Sequence, residues 1–85
     1  MKEFTYTITD MSGLHARPAG LLVKEASKYS SDIKIECAGK NGDAKKLFSV
    51  MSLCAAHSDT LKFVISGPDE ELAGTELEAF LKKNL

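Results

Sequence analysis

His15-Ala16-Arg17-Pro18 places an imidazole, a guanidinium and a proline within four positions, two residues after Gly13. Histidine has an ordinary pKa of about 6.5, so its neutral ring is well populated near neutral pH and can accept a phosphoryl group and return it. Arg17 adds a fixed positive charge whose donors suit phosphoryl oxygens. Ala19, Leu22, Val23, Ala26 and Tyr29 follow at the spacing of one helix face. That period predicts a helix from Ala16 onward, with His15 at or next to its N-cap. The amides of Ala16 and Arg17 then precede the first helical carbonyl partner, and Pro18, inside the first turn, breaks no helical bond. The helix end contributes a partial positive charge as well. Free amides, dipole and guanidinium beside an imidazole make a site for a phosphate-like dianion. Phosphoryl transfer asks for little beyond positioning and charge stabilisation, and this segment offers both. In the bland reading His15 is only a polar cap neighbour and Arg17 a solvated helix residue; the grouping with Gly13 and Pro18 weighs against it.

The elements that must hold this segment alternate between two periods. Phe4 to Ile8 alternates apolar and polar residues and predicts a first strand, ended by the loop Asp10-Met11-Ser12-Gly13. The first helix ends at Ser30 and Ser31. Ile33, Ile35 and Cys37 predict a second strand, and the turn-rich Gly39 to Gly42 a hairpin into a short third one. Leu47, Val50, Met51, Leu53 and Cys54 suit a helix of about two turns, too short to persist without tertiary support. Leu61, Phe63 and Ile65 predict a fourth strand. After Gly67-Pro68, Asp69 is placed to cap a last helix with Ala73, Leu77, Phe80 and Leu81 on one face, Glu70 and Glu71 at its start and Lys82 and Lys83 at its end. The order βαββαβα predicts an α+β two-layer domain, one antiparallel or mixed sheet with helices on one face, because each helix has a single apolar stripe to bury.

Composition narrows the function. The chain has 85 residues, the size of one domain spanning 1–85, and shows no internal repeat or linker. Its 11 basic and 12 acidic residues give a net charge of −1, which lacks the footprint of a general nucleic-acid binder. Cys37 and Cys54 are too few and too far apart for a disulfide framework or a C-x-x-C site, and read as reduced thiols. The N-terminal MKEFTYTITD has no apolar signal region, and no stretch approaches the roughly 18 apolar residues of a membrane span, so a cytoplasmic location without membrane insertion is expected. Nothing in the sequence calls for a metal or cofactor.

Gly13-Leu14-His15-Ala16-Arg17-Pro18-Ala19 closely resembles the active-site signature of the HPr family, the histidine-containing phosphocarriers of the bacterial phosphoenolpyruvate-dependent sugar phosphotransferase system. Lys24 to Tyr29, Lys45 to Leu53 and Ile65-Ser66-Gly67 are similar to the family too, so the resemblance covers the whole chain. It implies an open-faced β-sandwich of four antiparallel strands with three helices on one face. It also implies a carrier rather than a self-sufficient enzyme, monomeric and dependent on partners. Enzyme I, charged by phosphoenolpyruvate, would phosphorylate His15 at Nδ1, and the enzyme IIA domain of a sugar permease would take the group away. By the same resemblance Arg17 would pair with the phosphoryl oxygens, and the amides of Ala16 and Arg17 would complete the cradle. Gly20, Leu21 and Lys24 on the first helix, with Leu47, Phe48 and Met51 on the second, match the family's docking face.

Some positions depart from the family. Many Gram-positive relatives carry a kinase-modified regulatory serine before the second helix; here that position is Lys46, and neither Ser49 nor Ser52 inherits the role at helical spacing. Cys54 stands where the family usually has Gly, and Ser58 where it often has, which raises the question of a left-handed backbone there. Val50 and Leu53 are expected to be buried, leaving Phe48 and Met51 exposed. His57 reads as a solvated loop histidine, and Lys40, Lys45 and Lys46 as a solvated face. Two functions stay open: a carrier for sugar uptake, and a paralogue phosphorylated on the same histidine that acts in regulation or a dedicated relay through protein binding. An RNA-binding module is disfavoured by charge and by the lack of its aromatic strand motif.

Overall fold

The computed structural model describes residues 1–85, with seven elements in the predicted order: β1 (Lys2–Thr7), α1 (Ala16–Ala26), β2 (Asp32–Cys37), β3 (Lys40–Asp43), α2 (Leu47–Met51), β4 (Thr60–Ser66) and α3 (Glu70–Asn84). The strands form one sheet in the order β1-β4-β2-β3, antiparallel throughout. β4 lies between β1 and β2, so the β1–α1–β2 crossover spans a strand that enters the sheet later in the chain.

Period two in the sequence becomes two chemically different sheet faces. Ile33, Ile35, Cys37, Leu61, Phe63 and Ile65 point to the helices and are buried, while Lys34, Thr60 and Lys62 face solvent. Phe4 stands opposite Phe63 in register, and their rings stack with centroids 5.0 Å apart. On the open face Lys62 bridges Glu3 at 3.4 Å and Glu36 at 3.8 Å, across both flanking strands. The helices close the other side with Ala19, Leu22 and Ala26 from α1, Val50 from α2, and Ala73, Leu77 and Leu81 from α3, joined in one core. This is the α+β arrangement with an open sheet face.

Three local expectations change. α1 stops at Ala26, and the segment to Tyr29 tightens, Lys28 N donating to Glu25 O and Tyr29 N to Ala26 O. Tyr29 still packs against the core. α2 ends at Met51; Leu53 is buried in the following turn and Cys54 is exposed. Asp69 is the N-cap of α3 but makes no capping bond with its side chain. Its carboxylate instead accepts from the amides of Ser30 and Ser31, both at 2.9 Å, and from the Ser31 hydroxyl. Two amides and a hydroxyl outcompete the helix start, and the result ties α3 to the entry of β2.

Candidate functional site

His15 is the N-cap of α1, with φ −97° and ψ −174°, and its side chain makes no capping bond. The imidazole is exposed. His15 O accepts from Ala19 N at 2.9 Å and closes the first turn, so the amides of Ala16 and Arg17 lie ahead of any helical acceptor. No acidic residue occupies that turn, which leaves the positive end of the helix dipole uncompensated. Arg17 is exposed and takes part in none of the ion pairs of the chain. Imidazole, two amides and a free guanidinium therefore meet solvent at one helix end, where the amides and the guanidinium would donate to an anion beside the ring.

The loop that presents His15 is fixed by its backbone. Asp10 accepts twice, from Ser12 N through Oδ1 at 2.8 Å and from Gly13 N through its carbonyl at 3.0 Å. Gly13 has φ +68°, and a Cβ there would lie 2.7 Å from Ala55 O and 2.8 Å from Ala56 Cα. Only glycine meets both demands, the left-handed backbone and the close approach. Leu14 is buried and its N–H donates to Ala55 O at 2.9 Å, which seats the loop on the segment after α2. That segment carries the two departures from the family glycines. Cys54 has φ +52° and Ser58 φ +74°, so both adopt the left-handed conformation that glycine would take at lower cost. The seat at Ala55 and Ala56 was not read from the sequence; it depends on a contact between distant segments and has no local signal.

α1 and α2 pack side by side and leave an apolar surface outside the core. Phe48 is 85% exposed, and Leu21, Leu47 and Met51 lie between 36% and 41%. Val50 and Leu53 are buried, as their spacing predicts, so α2 turns Phe48 and Met51 outward. Lys24 is exposed, and Gly20 has open space at its Cβ position. Lys46 is the exposed N-cap of α2 and supplies no hydroxyl at that helix end. Lys45 departs from the solvated face expected of it: it is half-buried and its ammonium donates to Tyr29 O at 2.7 Å. Ser49 and Ser52 are engaged, Ser49 Oγ accepting from Asp43 N and Ser52 Oγ donating to Ser49 O, each at 2.8 Å. His57 is exposed in a turn and Lys40 is exposed at the β3 hairpin.

Other titrating groups lie apart from this chemistry. Burial pushes the Cys37 thiol up. The Tyr29 phenol is pushed up to about 12, first by burial and then by its hydrogen bond to Glu25. A groove of about 790 Å³ lined by Asp32, Lys34, Asn41, Asp43 and Ser49 lies at the β2–β3 side and does not include His15. No helix is long and apolar enough to cross a membrane.

Comparison with known proteins adds an independent line. The family model described as "PTS HPr component phosphorylation site" matches residues 2–83. The chain is 41% identical over 85 residues to the phosphocarrier protein HPr of Mycoplasma genitalium, covering 99% of this chain and 97% of that protein. It is 43% identical over 74 residues to the phosphocarrier protein HPr of Buchnera aphidicola subsp. Baizongia pistaciae, covering 87% of each. Among solved structures, HPr-C-His from Thermoanaerobacter tengcongensis superposes with a TM-score of 0.93 at 40% identity, over 99% of this chain and 94% of that one.

Proposed function

This chain belongs to the HPr family of phosphotransferase-system phosphocarriers, and from that premise we propose that His15 is the residue that carries the phosphoryl group. The observation that carries the assignment is the exposed, uncapped imidazole at the start of α1, beside free amides and an unpaired arginine. The family membership makes the chain a carrier in phosphoryl transfer; the residues, partners and order of steps are our proposal.

Enzyme I, charged by phosphoenolpyruvate, is the donor. The lone pair of His15 Nδ1 forms a bond to phosphorus as the bond from phosphorus to the donor breaks and leaves its electron pair with the donor. The negative charge that arrives is met by the Ala16 and Arg17 amides, the helix end and the Arg17 guanidinium. An enzyme IIA domain then attacks the same phosphorus and His15 leaves as the neutral ring. Because the site is exposed and shallow, each partner supplies the rest of the surroundings of the transferring group. The chain thus forms a phosphohistidine intermediate without being an enzyme by itself.

Docking is assigned to Gly20, Leu21 and Lys24 of α1 with Leu47, Phe48 and Met51 of α2. Its support is the exposure of the apolar members beside a buried Val50 on the same short helix. Residues 1–85 act as one phosphocarrier domain, monomeric and cytoplasmic, with no nucleic acid, metal or cofactor in the cycle. Mixing the phosphorylated chain with an unlabelled enzyme IIA domain tests the relay. The label should move to enzyme IIA and leave the chain unmodified, whereas a chain that is labelled by enzyme I but never discharged by any enzyme IIA of its cell would contradict the carrier role.

A further inference from the structure

The turn before His15 holds one residue that turn chemistry does not call for. Gly13 N donates to Asp10 O at 3.0 Å and Ser12 N to Asp10 Oδ1 at 2.8 Å, so Met11 stands at the second position of a tight four-residue turn. Asp10, Ser12 and Gly13 are ordinary turn residues and make these bonds. Met11 joins none of them, and its side chain is 80% exposed. A large apolar side chain is thus held out to solvent on a bonded turn, where it stabilises nothing inside the molecule.

Single exposed apolar residues are common on any protein surface, and what sets Met11 apart is its company. The chain has three methionines, Met1, Met11 and Met51, and none lies in the core, where a flexible thioether ordinarily fills gaps. Met51 is exposed on α2 beside Phe48, and Met11 precedes His15 by four residues. The two regions are joined. Leu14 N donates to Ala55 O and Gly13 lies against Ala55 and Ala56, so exposed Cys54 and Ala56 connect the end of α2 to the turn. Four residue steps reach at most about 14 Å. Half of a standard protein interface, about 800 Å² per partner, is a disc about 16 Å in radius. A partner centred on His15 therefore covers Met11 as well.

Resting on the assignment of His15 as phosphoryl acceptor and of α1 and α2 as the docking face, we propose that Met11 is a further apolar anchor for enzyme I, which lays apolar surface against it while the phosphoryl group passes to His15. The docking face then extends from α2 across the segment after it to the turn before α1. Because the turn is already closed by its own bonds, covering Met11 orders one side chain and no backbone, which keeps the cost of association low. Methionine suits a surface that has to fit more than one protein, since its unbranched thioether repacks against differently shaped partners.

The methionines themselves are the probes. With carbon-13 in their methyl groups the chain gives three signals, assigned with Met11→Leu and Met51→Leu, and unlabelled enzyme I is titrated in. The Met11 and Met51 signals should shift together. The Met1 signal should stay, because Met1 is paired with Glu70 at the far end of β1, about 20 Å along the strand from the turn. Single-turnover transfer across enzyme I concentrations gives the second reading. Met11→Ser should raise the half-saturating concentration about three- to tenfold, as loss of a partly buried apolar side chain does, and keep the parent's saturated rate and urea midpoint. Met11→Leu should stay within about twofold of the parent in half-saturation. A Met11 signal that stays fixed while Met51 shifts overturns the proposal, as does a Met11→Ser half-saturation equal to that of the parent. A fall in the saturated rate alone also overturns it, since Met11 would then act on the alignment of His15 and not on docking. If neither Met11 nor Met51 shifts while His15 is labelled normally, the docking face is misplaced and the proposal falls with it; failure of the unaltered chain to be labelled at His15 overturns the acceptor assignment instead.

Discussion

Replacing two neighbouring residues of α2 should separate docking from folding. Phe48 is 85% exposed and Val50 fully buried, two positions apart on one short helix. Phe48→Ala removes a ring that packs little inside the molecule, and alanine favours the helix slightly more, so stability should change by less than about 0.5 kcal/mol. Val50→Ala removes two buried carbons, worth about 0.8 kcal/mol each, and leaves a cavity, for a total of about 2 kcal/mol after the gain in helix propensity. In association the order reverses. Loss of an aromatic anchor commonly costs about 1 to 3 kcal/mol, which is about 5- to 150-fold in affinity, and Val50 touches no partner. Urea unfolding reads the first pair of values. Single-turnover transfer across enzyme I concentrations reads the second: Phe48→Ala should shift the half-saturating concentration and recover its rate at saturation. Arg17→Ala serves as the contrast, since loss of a charged donor at the reacting group costs about 2.7 to 4 kcal/mol in comparable sites and should slow the saturated rate about a hundredfold or more. If Phe48→Ala lowered the saturated rate as far as Arg17→Ala, or cost more than about 1.5 kcal/mol in urea, the docking face would be wrongly placed.

Gly13→Ala should destabilise the fold by about 2 to 5 kcal/mol, combining a left-handed alanine with displacement of the Ala55–Ala56 backbone, and a urea midpoint equal to that of the parent would refute the seat described for the loop. The Ser31 hydroxyl first, and then the Ser30 amide, hold the Asp69 carboxyl below the usual carboxylate range. The sign follows: this stabilisation is present above the unfolded pKa of about 3.9 and is lost as pH falls through the lower folded value. Asp69→Ala should therefore lower the urea midpoint at neutral pH and flatten the acid decline below about pH 4, and an acid profile parallel to that of the parent would contradict it. With a thiol reagent on the native protein, exposed Cys54 should react rapidly and buried Cys37 only after unfolding, because burial also raises the Cys37 thiol pKa. Rapid reaction of both would contradict the packing of β2.

The part of the site that lies on one helix was legible, because Ala19, Leu22 and Ala26 fix the helical face and thereby place His15 and Pro18 at its start. Strand faces were legible for the same reason, Ile33 and Ile35 or Leu61 and Phe63 alternating with polar residues. Strand order was not, since period two says which side a residue faces and nothing about its neighbour, and the position of β4 between β1 and β2 comes from the structure alone. Asp69 shows a second limit. Its residue type and position suit a helix cap, yet a cluster of donors from Ser30 and Ser31, distant in sequence, captures the carboxylate. Lys45 shows the same effect, its stem covered and its ammonium bound to Tyr29 O. The seat of the loop before α1 at Ala55 is a backbone contact between remote segments, which residue types do not encode. The left-handed conformations of Cys54 and Ser58 were foreshadowed only because the family has glycine there.

The central claim is that the imidazole at the start of α1 is the phosphoryl acceptor, and mapping the adduct tests it most directly. The chain incubated with enzyme I and phosphoenolpyruvate should gain a single phosphoryl group, acid-labile and alkali-stable, which fragment mass spectra under neutral conditions locate on His15. His15→Ala should gain none. A phosphoryl group located on His57 or on a serine, or an unmodified chain in the presence of an enzyme I competent toward another carrier, would contradict the account.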